Sequence, residues 1–349
     1  MRIAIVNDSQ IAVESLRRVI TSAPEHEIAW VAYNGAEAIE KCARDTPNLI
    51  LMDLIMHVMD GVTATRQIMA NTPCAILVIT ATIQGNGAKV FEAMGAGALD
   101  ALNTPIVGAD GQGAGKQDLL RKISTIGCLI NGGIRNAARG AETKLPQRVT
   151  SGIRLLAIGA STGGPAAVVA LLTGLPNDFQ GAILLAQHMD EQFLESFADW
   201  LSNQCKLPIR IAKVGERPQP GTVLVAGSKD HLILRTDGTL GYTNEPADYP
   251  FRPSVNVFFE SIAANWNGPA LGVLLTGMGR DGANGLLAMR SKGHHTIAQD
   301  KASCAVYGMP RAAAELGAAV EVLALDQIAE SVGKVFAKVA NSKQAGYKA

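Results

Sequence analysis

The chain has 349 residues, 48% of them hydrophobic and 18% charged, with 31 basic side chains balancing 31 acidic ones. That length fits about two domains, and the balanced charge, with no basic stripe, excludes nucleic acid as the main partner. No apolar run approaches the length of a membrane span. The opening Met1-Arg2-Ile3-Ala4-Ile5-Val6-Asn7-Asp8 turns polar too early for a signal peptide. Five cysteines, Cys42, Cys74, Cys128, Cys205 and Cys304, form no C-x-x-C pair. An odd count without that spacing points to a reducing cytoplasm rather than to disulfides or a zinc site.

Short β-rich runs alternate with amphipathic stretches over the first hundred or so residues. The pattern predicts strands over Arg2–Val6, Ile28–Ala32, Leu49–Met52, Ala75–Thr80 and Ala98–Leu102, and helices over Ala12–Ile20, Ala36–Ala43, Val62–Met69 and Lys89–Met94. Five strands alternating with helices imply a parallel sheet covered on both faces. Residues 108–150 then read as a linker, with a Gly-rich patch at Gly108–Gly115, a helix over Gln117–Leu129 and a polar tail.

The alternation restarts at Arg154. Strands are expected over Leu155–Ile158, Ala182–Ala186, Ile209–Val214, Thr222–Ala226, Leu271–Leu275 and His295–Ala298, and helices over Ala166–Leu172, Gln192–Ser202, Val255–Ala264 and Ala283–Ser291. His231–Arg235 and Thr239–Thr243 flank Thr236-Asp237-Gly238 and predict a hairpin. The fold class is therefore α/β in both units, within limits of 1–107 and 151–345.

In open parallel sheets, ligands sit at the carboxyl ends of the strands. In the first unit Asp8, Asp53 and Thr80 all fall there. Two carboxylates at one strand end can hold a magnesium ion and let a phosphate reach Asp53. The alternative is a helix N-cap at Asp8 and a loop carboxylate at Asp53. The segments Asn7-Asp8-Ser9, Met52-Asp53-Leu54, Met59-Asp60-Gly61, Thr80-Ala81 and Gly97-Ala98-Leu99-Asp100 with Pro105 resemble a flavodoxin-like response-regulator receiver over residues 1–107. The resemblance implies Asp53 as phosphoacceptor, Asp8, Asp53 and the Ile55 carbonyl as magnesium ligands, and Thr80 as the switch hydroxyl. Three positions depart from the receiver pattern: Asn7 where an acid is usual, His57 where Pro is usual, and Thr104 where a switch Lys is usual. The missing lysine removes a fixed cation that would pair with the phosphate.

In the second unit, Gly159-Ala160-Ser161-Thr162-Gly163-Gly164-Pro165 follows a predicted strand and opens a predicted helix. It matches G-x-S-x-G, which presents a serine at a strand-to-helix corner. The rival, a phosphate loop, lacks the P-loop lysine. The next strand ends in Gln187-His188-Met189, and a later one in Thr276-Gly277-Met278-Gly279-Arg280-Asp281-Gly282. Ser161, His188 and Asp281 thus lie just beyond three strand ends, where a catalytic triad can converge. The chain order Ser, His, Asp differs from the Ser, Asp, His order of ordinary α/β-hydrolases.

These segments, with Arg252-Pro253-Ser254-Val255, Ala298-Gln299 and Gly308-Met309-Pro310-Arg311, resemble the protein-glutamate methylesterases of bacterial chemotaxis, the CheB type, over about residues 152–340. The resemblance implies a doubly wound α/β domain with Ser161 as nucleophile, His188 as base and Asp281 as orienting acid. It places Thr162 and the Met278 N–H near the oxyanion. Arg252 stands either near the substrate entrance or in a structural salt bridge. The implied reaction is demethylation of receptor glutamates, with deamidation of receptor glutamines as a second activity. The implied partners are a methylated chemoreceptor and a chemosensory histidine kinase as phosphodonor, with the protein a cytoplasmic monomer that meets the membrane only through receptors. Magnesium belongs to the receiver and no cofactor to the esterase. In that family the receiver sits over the active site until phosphorylation moves it. The Thr104 departure resembles methylesterases of alternative, surface-sensing chemosensory systems. His231, His294 and His295 read as structural or exposed histidines.

Overall fold

The computed structural model describes residues 1–81, 83–107, 113–131, 153–247, 249 and 252–345. The chain divides into two compact units, Met1–Arg135 and Asn136–Ala349. The parts of the expected linker at 108–112 and 132–150, and the start of the second expected domain at 151–152, lie outside the described residues.

The first unit runs β1 (Arg2–Val6), α1 (Gln10–Thr21), β2 (Glu27–Ala32), α2 (Gly35–Arg44), β3 (Leu49–Met52), α3 (Gly61–Asn71), β4 (Ala75–Thr80), α4 (Ile83–Gly95) and β5 (Asp100–Asn103). The small pair β6 (Ile106–Val107) and β7 (Gly113–Ala114) and helix α5 (Lys116–Asn131) follow. The sheet order is β2-β1-β3-β4-β5, all parallel. Helices cover both faces, so Leu49, Ile50, Leu51 and Met52 are each fully buried and the strand reads as one unbroken apolar run. Ser9, Asn34 and Asp60 cap α1, α2 and α3 through their side-chain oxygens. Helix α4 begins at Ile83 rather than at the expected Lys89; Gly85 and Gly87 weaken the helical pattern of its first turns, so the sequence shows only its later part. The helix expected inside the linker packs on this unit: Leu119, Ile123 and Ile126 of α5 join the core of Ile3, Leu16, Val19 and Ile20.

The second unit runs β8 (Leu155–Ala160), α6 (Gly164–Gly174), β9 (Ala182–Gln187), α7 (Glu191–Gln204), β10 (Ile209–Ile211), β11 (Val223–Val225), the hairpin β12 (His231–Leu234) and β13 (Leu240–Thr243), and α8 (Val255–Asn265). It continues through β14 (Ala270–Leu274), α9 (Ala283–Ser291), β15 (His295–Gln299), α10 (Met309–Glu315), β16 (Glu321–Leu323) and α11 (Leu325–Ala345). The seven strands lie in the order β10-β11-β9-β8-β14-β15-β16, all parallel. The chain builds outward from β8 first on one side and then on the other. The carboxyl end of β8 is therefore the switch point at which doubly wound sheets bind ligands. The last three elements, α10, β16 and α11, have no counterpart in the periodicity reading.

Candidate active site

The register of the central strands brings three loops together. Ala160 pairs with Gln187 across β8 and β9, and Gly159 with Leu274 across β8 and β14. Ser161, His188 and the loop from Thr276 to Asp281 therefore leave three adjacent strands at the same end of the sheet. The His188 N–H donates to the Ala160 carbonyl at 2.9 Å, and the Ser161 N–H to the Thr276 carbonyl at 3.0 Å. The Gln187 Nε2 donates to the carbonyls of Ser161 at 2.8 Å and His188 at 3.1 Å. Glycines permit the approach. Gly163, at a φ of 75°, opens α6, and a Cβ on Gly277 would stand 2.7 Å from Ser161 Cβ.

His188 and Asp281 meet directly. Nε2 of His188 lies 2.7 Å from Oδ2 of Asp281, and both side chains are buried. A carboxylate only accepts, so Nε2 carries the proton and Nδ1 is the basic nitrogen of the ring. Asp281 also accepts from the Ser254 hydroxyl at 3.0 Å, the Val255 N–H at 2.6 Å and the Asn256 N–H at 3.0 Å. Burial pushes its carboxyl up, but the His188 bond and charge and the two backbone N–H groups outweigh that and hold it below its ordinary value.

The remaining expected residues fall around this pair. Thr162 is nearly buried, and its carbonyl accepts from the Thr276 hydroxyl at 3.0 Å. Gly277 uses both its N–H, to Val306, and its carbonyl, from Gly308 and Met309. The Thr162 and Met278 N–H groups make no backbone hydrogen bond among the described residues. Arg252 sits 4.0 Å from Asp230 and donates to the Ala247 carbonyl, which is the geometry of its salt-bridge alternative. Sequence reasoning gave no role to Ser254 or Asn256 and read His231 only as a structural or exposed histidine. Ser254 signals itself as an N-cap before the helical run of α8, but nothing local says that the cap also holds Asp281.

In the first unit, Asp53 closes β3 and its Oδ1 accepts from Leu54 N at 2.7 Å and Ile55 N at 3.5 Å. Burial pushes its carboxyl up to about 6 against those backbone bonds, and the Asp8 charge adds to the rise. Two neighbouring carboxylates, Asp8 and Asp53, beside an exposed backbone turn are a hard-oxygen donor set that fits magnesium. His57 Nδ1 lies 2.8 Å from Asp8 Oδ2. Asn7 is buried and its Oδ1 accepts from Ser9 N at 2.8 Å, so this position serves a turn rather than a second charge. Thr80 is buried, accepts from Asn86 Nδ2 at 3.5 Å, and its carbonyl accepts from Thr104 N at 2.9 Å.

Residues 156–332 match the CheB methylesterase family, and residues 3–110 match the response regulator receiver domain. The protein-glutamate methylesterase/protein-glutamine glutaminase 3 of Pseudomonas aeruginosa is 54% identical over 336 residues, covering 96% of this chain and all of that protein. The chain belongs to the CheB methylesterase family.

This CheB-family enzyme is a hydrolase whose receiver puts it under phosphorylation control. A Pseudomonas putida protein named protein-glutamate methylesterase/protein-glutamine glutaminase of group 3 operon is 54% identical over 339 residues, covering 97% of this chain and all of that one. The crystal structure of the Thermotoga maritima CheB methylesterase catalytic domain superposes with a TM-score of 0.50 at 32% identity, covering 53% of this chain and all of that domain. Among the described residues no helix is long and apolar enough to cross a membrane.

Proposed function

We propose that this CheB-family enzyme hydrolyses glutamate γ-methyl esters on chemoreceptors and deamidates receptor glutamines, with Ser161 as nucleophile. The observation that carries this is the buried His188–Asp281 bond at the strand end next to Ser161. Ser161 Oγ attacks the ester carbonyl while His188 Nδ1 takes its proton, and Asp281 stabilises the imidazolium without taking the proton itself. The Thr162 and Met278 N–H groups bind the oxyanion. His188 returns the proton to the leaving methoxide, and methanol departs. Water, deprotonated by the same nitrogen, then cleaves the acyl-enzyme and restores Ser161.

The receiver half takes phosphate on Asp53 from a chemosensory histidine kinase. Asp8, Asp53 and the Ile55 carbonyl would hold magnesium there, which offsets the charge of the incoming phosphoryl group. Thr80 and Thr104 read the phosphorylated state. The domain limits that go with this reading are 1–107, 108–150 and 151–345, in a cytoplasmic protein that meets membranes through its receptors. The test is methanol release from methylated receptor membranes, with and without a small phosphodonor. Release that requires Ser161 and responds to Asp53 supports the reading; release that survives Ser161→Ala refutes it.

A further inference from the structure

The first four N–H groups of a helix have no intrahelical carbonyl partners. In α8 each of them has a partner, and three of the four bonds leave the cap itself. Val257 N donates to the Ser254 hydroxyl at 3.2 Å. Asn256 N and Val255 N donate to the two oxygens of Asp281 at 3.0 and 2.6 Å. Ser254 N donates to Nδ1 of His231 at 2.9 Å. The Ser254 hydroxyl completes the set by donating to Asp281 at 3.0 Å. The carboxylate that orients His188 is therefore seated in a helix N-terminus, and the cap of that helix is held by a second histidine.

His231 and Ser254 are both fully buried. Because Nδ1 accepts a backbone N–H, it carries a lone pair, and the ring proton sits on Nε2, which faces the Pro246 carbonyl at 3.4 Å. Tyr249 meets the ring edge-on, at 6.2 Å between centroids and 86° between planes, and its hydroxyl accepts from Asn256 Nδ2 at 2.6 Å. The Asn256 Oδ1 in turn accepts from Gly285 N at 2.9 Å. His231 is the first residue of β12, so the hairpin is wired to the catalytic carboxylate through two hydrogen bonds.

We propose that His231 is a positioning residue for the esterase: its neutral Nδ1 fixes the Ser254 cap, and the cap holds Asp281 against His188. The proposal rests on the assignment of Ser161, His188 and Asp281 as the catalytic set. Loss of the acceptor leaves the Ser254 N–H buried without a partner and frees the cap to shift. The ring is fully buried, away from any surface a substrate could reach, so the loss falls on turnover and not on binding.

The experiment compares three variants of the full chain. His231→Leu removes the acceptor. His231→Asn keeps an acceptor near the Nδ1 position. His231→Gln carries its amide to the Nε2 position instead. Each is assayed for kcat and KM on methylated receptor membranes, and for the rate at which a fluorophosphonate labels Ser161. Expected are a kcat about 10- to 100-fold lower for His231→Leu and His231→Gln, the range typical of groups that orient a catalytic ligand, with KM unchanged. His231→Asn is expected to recover most of that loss, and labelling to slow in parallel. The Gln variant keeps the test decisive if leucine costs the fold. A His231→Gln protein as fast as His231→Asn, or a rise in KM at constant kcat, would overturn the proposal. Failure of the unmodified chain to label at Ser161 would count against the nucleophile assignment; equal labelling of the unmodified chain and His231→Leu would count against the positioning role alone.

Discussion

Gly277 lies against Ser161 so closely that a side chain there would collide with the serine's own Cβ, at 2.7 Å, and with Met309 Sδ, at 2.4 Å. Ser161 can yield little, because its N–H is bonded to Thr276 and its carbonyl accepts from Gly164 and Gln187. Gly277→Ala is therefore expected to displace the serine and cut methanol release by about 100-fold or more, as small misplacements in active sites do. Steady-state assay at matched folding checks it, and near-normal turnover would mean the loop shifts without moving Ser161.

Ser161→Ala and His188→Ala should each abolish methanol release while leaving far-ultraviolet dichroism unchanged. The double variant should lose little beyond either single one, since members of a catalytic set act as a unit. Additive losses would argue that the two residues serve different steps.

Asp281→Asn is expected to cost both activity and stability. All four bonds to Asp281 come from donors, two on each oxygen. Whichever way an asparagine turns, its NH2 faces donors. Turnover should fall by about 10³ to 10⁴, and stability by roughly 2–4 kcal/mol, measured by urea denaturation. The native carboxyl sits below its ordinary value of 3.8. Its stabilisation is thus complete above the unfolded value and is lost only as pH falls through the lower folded one. Asp281 should add no acid limb to kcat above about pH 4.

Asp53 runs the opposite way. Its folded carboxyl, at about 6, lies above the unfolded 3.8, so its ionisation opposes folding. That cost is absent below about pH 4 and complete above about pH 6. Asp53→Asn should then stabilise the receiver by about 1–2 kcal/mol at neutral pH, after allowance for solvent screening, and the gain should vanish near pH 4. Magnesium should stabilise the unmodified chain but not the variant. Urea midpoints for both proteins, with metal and with chelator, provide the check; equal midpoints at neutral pH would contradict it.

Thr104 bonds through its backbone N–H to the Thr80 carbonyl at 2.9 Å, at the carboxyl end of β4. A lysine there would add a charge-assisted bond to phosphate, worth about 1.5–3 kcal/mol against about 1 for a neutral one. Thr104→Lys should raise the phosphodonor-dependent stimulation by up to about tenfold without altering unstimulated release. Strong stimulation already present in the natural chain, and abolished by Asp53→Ala, would show that another group replaces the lysine.

Strands buried on both faces announce themselves as runs such as Leu49-Ile50-Leu51-Met52, so the sequence predicts the strands of both sheets up to β15. Ser161 and His188 stand out because each follows such a run directly, and Asp281 because it ends the Gly-rich loop that leaves another, β14. The Asp281 cradle was not. Ser254 lies 27 positions from Asp281 and His231 lies 23 from Ser254, and no local pattern encodes bonds between loops that far apart. The acid that pairs with Arg252 in its salt-bridge alternative, Asp230, is hidden for the same reason. Helix α10 was missed because Gly308-Met309-Pro310 resembles loop punctuation, although Pro in the first turn is also a helix opening.

The amide of Gln187 ties Ser161 to His188, while its Oε1 presses on Gly164, where any Cβ would stand 2.1 Å away. Heredity feels this as a lock with two tumblers. A larger residue at 164 is barred both by Gln187 Oε1 and by Ala160 Cβ, which its Cβ would meet at 2.9 Å, and a shorter residue at 187 releases the His188 carbonyl and leaves the Ser161 carbonyl to Gly164 N alone. Drift among descendants of this chain should therefore keep glycine at 164 unless 160 and 187 both change with it.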